Sequence, residues 1–350
     1  MPPRTIIDSH IHLWPEETSD EQGHAWMTPG MPLAKPHVLS DYYQASHQRR
    51  SSNSDVHVKG AVYIETDVRY DSPSSDDLAT WARGPLDEII FLCKIVAGEY
   101  GERDSRMLLG LVPWAPMNQS TQVLEEYLVL AKDMAGPSAW PKIKGFRFLL
   151  QSIVEQKRFE DLVFSEGFIA NLKLLGQRRL SFDVGVDHHS GGIWQLEAIV
   201  KAMERAHQGV ADHQKVIFIV NHLCKPDFSE TDSGFGQWCA AMNKMSKLSK
   251  TYMKLSGAFS ELPPDVSSIT QIADCIKPWV AHIFATFGPK RVMFGSDWPV
   301  CNVKGHAGEG SWSAWTQVVE QLLDVPEMGL SEADRLCIWH DTAHEAYRIA

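Results

Sequence analysis

The sequence predicts an α/β protein of the (β/α)8 barrel class, and three observations carry that expectation. Eight short apolar runs recur along the chain, each separated from the next by a helical pattern or by a loop followed by one. The sixth run, Val216-Ile217-Phe218-Ile219-Val220, is apolar throughout, as a parallel strand buried on both faces must be. The first and last runs end in residues that serve chemistry rather than packing, His10 and His12 near one end of the chain and Asp297 near the other. Strand ends of one barrel meet on a single face, however far apart they lie in sequence.

The first run, Thr5-Ile6-Ile7-Asp8-Ser9-His10-Ile11-His12-Leu13, alternates with Ile11 and Leu13 on one side and His10 and His12 on the other. Period two sends both imidazoles one way, a geometry suited to a divalent metal or a polarised carbonyl oxygen. Two histidines so spaced are otherwise ordinary polar surface or satisfied core groups. Their weight comes from the eighth run, Arg291-Val292-Met293-Phe294-Gly295-Ser296-Asp297, which delivers one carboxylate before Trp298 and Pro299 stop the strand.

Between these runs the elements follow in order. Segment 14–36, with Pro15, Pro29, Pro32, Pro36 and Trp26, has no period and is expected to lie over the catalytic face as a lid, Trp26 forming a pocket wall. A decorated surface loop is the plainer alternative. Helical residues from Leu39 to His47 precede the second strand, Val58 to Thr66, which places Glu65 at its end as a ligand contact, a helix cap or a salt-bridge partner. A Ser- and Asp-rich connection over 71–82 leads to a helix around Leu86 to Ala97. The third strand, Met107 to Val112, closes on the apolar Pro113-Trp114-Ala115-Pro116. A core-facing helix follows over Thr121 to Met134.

The fourth strand, Ile143 to Leu149, puts Gly145, Arg147 and Leu149 on one face, so that Arg147 either enters the barrel mouth to hold a carboxylate or hydroxyls, or pairs with Glu65 or Asp183. The fifth, Leu180 to Asp187, turns Ser181, Asp183, Gly185 and Asp187 inward, with Asp183 deep and Asp187, His188 and His189 at the rim. After a helix over Trp194 to His207, the sixth strand ends in His222, an imidazole that nothing about the strand requires. A helix around Phe235 to Leu248 leads to the seventh strand, Tyr252 to Gly257, with Lys254 and Ser256 facing in or Lys254 on the surface. A helix near Ile276 to Thr286 precedes the last strand, and the remaining residues read as closing helices, with His340 and His344 on their surface. The chain shows no internal repeat, and 1–350 is expected to form one barrel domain.

Composition bounds the function. With 350 residues and 44% hydrophobic content the chain can bury one large core. A net charge of -11 provides no basic footprint for nucleic acid or an anionic membrane. The first strand begins almost at Met1, no apolar run reaches spanning length, and the six cysteines are scattered, which together favour a reduced, cytoplasmic protein without a structural zinc cluster.

The pieces IIDSHIHLW, VKGAVYIETD, KIKGFRFLL, FDVGVD, VIFIVNHLCKP, YMKLSG and VMFGSDWPV run in order from Ile6 to Val300. Together they resemble the amidohydrolase superfamily, whose fold is a (β/α)8 TIM barrel, and within it the amidohydrolase-2 branch of sugar-acid lactonases. The resemblance implies a hydrolase acting on a small-molecule lactone, of the L-rhamnono-γ-lactone kind, in L-rhamnose catabolism. It implies catalytic roles for His10, His12, His222 and Asp297, with Asp297 as general base. Glu65, Arg147, Asp187, His188 and Trp298 are the expected substrate contacts. One divalent metal ion, zinc or else manganese, would sit on His10, His12 and Asp297, although the branch also holds members that work without metal. A binuclear site is not expected, because no strand carries a clear carboxylated lysine. Two alternatives stand beside this: a zinc-dependent nonoxidative decarboxylase of a small aromatic or unsaturated acid, and a sugar-acid-binding protein that has lost catalysis. A homodimer is an open expectation.

Overall fold

The computed structural model describes residues 4–47, 56–71, 73, 77–229, 233–305 and 307–350. The Ser- and Asp-rich connection therefore lies partly, and Met1 to Pro3 wholly, outside the described residues. Eight parallel strands form: β1 Arg4–Ile11, β2 Val56–Ile64, β3 Leu108–Val112, β4 Gly145–Arg147, β5 Ser181–Val184, β6 Ile217–Val220, β7 Thr251–Leu255 and β8 Val292–Phe294. They pair in sequence order as β1-β2-β3 and β4-β5-β6-β7-β8. Parallel bridges Leu111↔Ile143 and Ile11↔Trp298 join the two groups, so the strands close on themselves as a (β/α)8 barrel.

Helices fall between the strands and cover the outside, as parallel strands require. They include Leu39–Ser46, Arg83–Ala97, Thr121–Ala139, Ile193–His207, Ser233–Ser246, Ile269–Phe287 and Ser311–Leu323. The helix from Thr121 breaks at Gly136 (φ 62°), and Pro137 follows at once, so its regular part matches the apolar stripe that ends at Met134. Strand residues facing outward meet these helices in one large core that includes Ile6, Ile11, Phe146, Phe182, Phe218 and Phe294.

The barrel interior is packed separately. Ile7, Val62, Ile64, Val112, Ile219 and Met293 fill it together with Ala343, Ala346, Tyr347 and Ile349 of the closing segment, which forms its floor. Within this layer Lys254 of β7 donates to Asp183 of β5 at 2.7 Å, and the Tyr347 hydroxyl donates to the same carboxylate at 2.8 Å. Lys254 and Asp183 are fully buried, and a buried charge pair persists only with its remaining hydrogen-bonding capacity satisfied. Of the two readings of Lys254, the inward one is the structure.

Segment 14–36 is folded against the barrel mouth. Trp14, Met27 and Leu33 make a small core of their own, joined by Trp26 and Val300. The Trp26 indole donates to the Thr66 carbonyl at 3.0 Å, and the buried His24 ring meets the Thr66 hydroxyl at 2.8 Å, which ties the segment to the end of β2.

Candidate active site

Three strand ends bring the chemistry together. The alternation of β1 aims His10 and His12 into the mouth, and their Nε2 atoms lie 3.1 Å apart. The Asp297 amide donates to the His10 carbonyl at 2.9 Å and the His12 amide to the Trp298 carbonyl at 2.8 Å, so the barrel seam itself sets carboxylate against imidazoles. Asp297 Oδ1 is 3.5 Å from both of those Nε2 atoms and 3.6 Å from Nε2 of His222.

The backbone is strained to achieve this. Asp297 adopts φ 61°, and His222, Leu223, Cys224 and Lys225 form a run of four left-handed residues with φ between 47° and 63°. Each costs roughly 1–3 kcal/mol, a burden found where surrounding structure enforces a functional geometry. Gly257 makes room for the turned ring, because a Cβ there would lie 2.4 Å from His222 Nδ1.

Hydrogen bonding fixes the ring protons. Nδ1 of His12 donates to the Ile64 carbonyl at 2.9 Å, leaving its Nε2 a lone pair aimed at the mouth. Lys254 Nζ donates to Nδ1 of His10 at 3.1 Å, which places the His10 proton on Nε2, pointed at His12. His222 Nδ1 meets the Ser256 hydroxyl at 2.9 Å. Burial first, and the neighbouring Lys254 and His222 next, hold His10 well below the usual imidazole range; burial takes His222 down to about 4 although Asp297 opposes it. Burial would raise Asp297, yet His222, His12 and Arg147 outweigh it, and the carboxyl sits below its ordinary value. At neutral pH the site holds a carboxylate facing the neutral rings of His10 and His222.

His10, His12 and Asp297 also have the donor set of a metal centre, one atom from each lying within 4.8 Å of the others. Edges of 3.1 and 3.5 Å suit ligands placed at about 2.0–2.2 Å around one tetrahedral ion. The residues fit a single divalent cation, which would take the position of the His10 Nε2 proton.

His12, His222 and Asp297 open onto a cavity of about 390 Å³. The segment before the first helix supplies Trp14, Trp26 and Leu33, the β4 loop Arg147, Leu149, Gln151 and Ser152, and the β6 and β7 loops Lys225 and Ser260. Arg147 pairs with Glu65, its Nε and Nη2 binding the side chain and carbonyl, and the residue also lines the cavity. Gly145, on the same face, serves packing: a Cβ there would lie 2.0 Å from the Ser181 hydroxyl, so close β4–β5 packing requires that glycine.

The structure employs four other expected contacts elsewhere. Glu65 is fully buried beneath the wall as the Arg147 partner. Past the last hydrogen-bonded residue of β5 the chain turns into a short helix, so Asp187 caps it through the Ser190 amide and binds Lys225, while His188 heads it; neither lines the cavity. Trp298 is buried behind the Asp297 carboxylate, packed edge-on to His37 and Tyr42, and faces a separate cavity of about 310 Å³. His340 meets Lys59 at 3.3 Å on the far side of the fold from this chemistry.

Asp67, which closes the piece VKGAVYIETD but was assigned no role from the sequence, lines the cavity two residues past Glu65, in the left-handed region at φ 57°. Burial first, then the Glu65 charge, raise its carboxyl to about 6, with Arg147 opposing. Its one sequence signal is being an Asp just past a strand end, where a short polar residue tolerates that backbone.

Comparisons with known proteins agree with this geometry. The family model described as Amidohydrolase matches residues 137–349. An L-rhamnono-gamma-lactonase from Scheffersomyces stipitis is 30% identical over 363 residues, spanning 98% of this chain and 98% of its own. An L-fucono-1,5-lactonase from Burkholderia multivorans is 24% identical across 98% of this chain and 96% of its own. Among solved structures, a zinc-bound amidohydrolase from Burkholderia multivorans aligns with a TM-score of 0.72 at 23% identity, over 99% of this chain and 100% of that one.

Proposed function

Because this chain belongs to the amidohydrolase family, we propose that it is a lactonase that opens the ring of a sugar-acid lactone, with an L-rhamnono-γ-lactone-type aldonolactone as substrate. The observation that carries the reading is one ionised carboxylate, Asp297, facing the Nε2 atoms of His10, His12 and His222 at 3.5 to 3.6 Å on the wall of a substrate-sized cavity. Ring opening needs a nucleophilic water, stabilisation of the carbonyl oxygen and a proton for the leaving alkoxide.

Asp297 takes a proton from water as the water oxygen bonds to the carbonyl carbon. When the tetrahedral adduct collapses and the acyl–oxygen ring bond breaks, Asp297 returns that proton to the departing alkoxide. Lactone and water become the hydroxy acid, and the carboxylate is regenerated. Lys254 behind His10 holds the tautomer whose Nε2 proton points at His12, beside the reacting carboxylate. A divalent ion, zinc by preference, would be held by His10, His12 and Asp297 and would supply Lewis-acid polarisation of the carbonyl.

A decarboxylase of aromatic acids would favour an apolar slot. This cavity has an apolar side in Trp14, Trp26 and Leu33, but Asp67, Arg147, Gln151, Lys225 and Ser260 also line it, which suits a polyhydroxylated ligand. No helix among the described residues is long and apolar enough to cross a membrane, and the six cysteines are unpaired, both in keeping with a cytoplasmic place for L-rhamnose catabolism. The test is acid release from a panel of aldonolactones, run with zinc, with manganese and with chelator, beside carbon dioxide release from aromatic acids. Aldonolactone turnover that disappears in Asp297→Asn supports the reading; carbon dioxide release alone, or no turnover, rejects it.

A further inference from the structure

We propose that Asp67 is the specificity-determining residue of this pocket, accepting hydrogen bonds from hydroxyl groups of the lactone. The proposal rests on the lactonase reading and names the part of the substrate that the site recognises. Asp67 is partly buried in the cavity wall, and its carboxylate has no hydrogen bond or ion pair among the described residues. Its main chain, by contrast, is firmly held. The amide donates to Oε2 of Glu65 at 2.5 Å, and the other oxygen of Glu65 takes Nε of Arg147.

One fully buried carboxylate thus anchors two polar residues from different strand ends, Asp67 after β2 and Arg147 on β4, both lining the same space. A non-glycine residue at φ 57° is retained at a cost in backbone energy, and here that conformation accompanies a carboxylate left without a protein partner. An ionised carboxylate is acceptor-only, with room for two donors, which matches neighbouring hydroxyls on a sugar-acid ring.

The arrangement also divides the cavity. His10, His12, His222 and Asp297 come from the ends of β1, β6 and β8, whereas Asp67 and Arg147 come from the β2 and β4 side. A lactone lying across the mouth presents its carbonyl to the first set and its hydroxyls to the second. The Arg147 Nη1 group, which makes no hydrogen bond among the described residues, adds a donor to the cavity that Asp67 also lines, so the hydroxyls of one ligand can give to one residue and take from the other.

Enzyme and substrate deletions can be paired to test this. Asp67→Asn is expected to lower kcat/KM for the full aldonolactone on the order of 10- to 100-fold, the range for one charge-assisted hydrogen bond, mainly through KM. Against a series of deoxy-aldonolactones each lacking one hydroxyl, the loss is expected to shrink to within about threefold for the analogue missing the bound group, because the enzyme change then removes nothing further. Thermal melting and circular dichroism establish that the variant is folded. Equal losses for every analogue, or undiminished activity on the full lactone, overturn the role of Asp67. If wild-type protein opens none of these lactones while remaining folded, the lactonase reading falls and this one with it.

Discussion

At the scale of single residues, the catalytic proposal stands on Asp297. Asp297→Asn keeps shape and removes charge, so turnover is expected to fall by about 10²- to 10⁴-fold in steady-state assays while the far-ultraviolet spectrum is unchanged. The rings have a pH signature as well. His222 has a folded pKa of about 4 against an unfolded value of 6.5. The unfolded chain therefore binds its proton first as the medium is acidified, so the stabilisation from keeping this ring neutral is complete above pH 6.5 and is lost as pH falls through about 4. The melting temperature is expected to drop across that window, and less so in His222→Gln. Much of this was legible: period two aims His10 and His12 together, and an imidazole closing an apolar run marks His222. Glu65 was legible only as a polar strand end; whether such a group faces ligand or anchors the wall depends on Arg147, 82 residues later. Asp67 was hidden for a different reason, since its position depends on a left-handed turn that carries no periodicity.

Among elements, the strands were readable in number and order but extended too far at their ends. The last polar residues, such as Asp187 and His222, leave the sheet to form caps and turns, and hydrogen-bonded pairing stops at Val184 and Val220. The helix before β8 starts earlier than its apolar pattern, at Ile269, because Ser268 and Gln271 form a reciprocal cap. That Ser-x-x-Gln signal is present in the sequence and would have placed the start correctly. The interior pairing of β5 with β7 makes a sharper expectation. Burial pulls Lys254 down to about 8 against the pull of Asp183, and Lys254→Met would strand the buried carboxylate. A loss of about 3–5 kcal/mol is expected in denaturant titration, with part of it recovered in the double variant Lys254→Met/Asp183→Asn. If the two changes instead add, the charges do not act as a pair.

For the molecule as a whole, the metal question becomes one of stability. If His10, His12 and Asp297 hold an ion in the folded state only, zinc at about 100 times its dissociation constant adds roughly 2.7 kcal/mol, read as a rise in Tm that chelator reverses and His12→Ala abolishes. An unchanged Tm would favour catalysis by the histidines directly. The barrel also has a floor, built by residues that follow β8 in the chain. As the chain emerges from the ribosome, β1 through β8 with His10, His12, His222 and Asp297 appear before Tyr347, whose hydroxyl completes the bonds to Asp183. A message truncated after Leu336 would therefore encode His10, His12, His222 and Asp297 but lack the residues that cover the apolar interior of the barrel. The closing segment is thus the seal of the barrel, since Ala343, Ala346, Tyr347 and Ile349 cover its apolar centre.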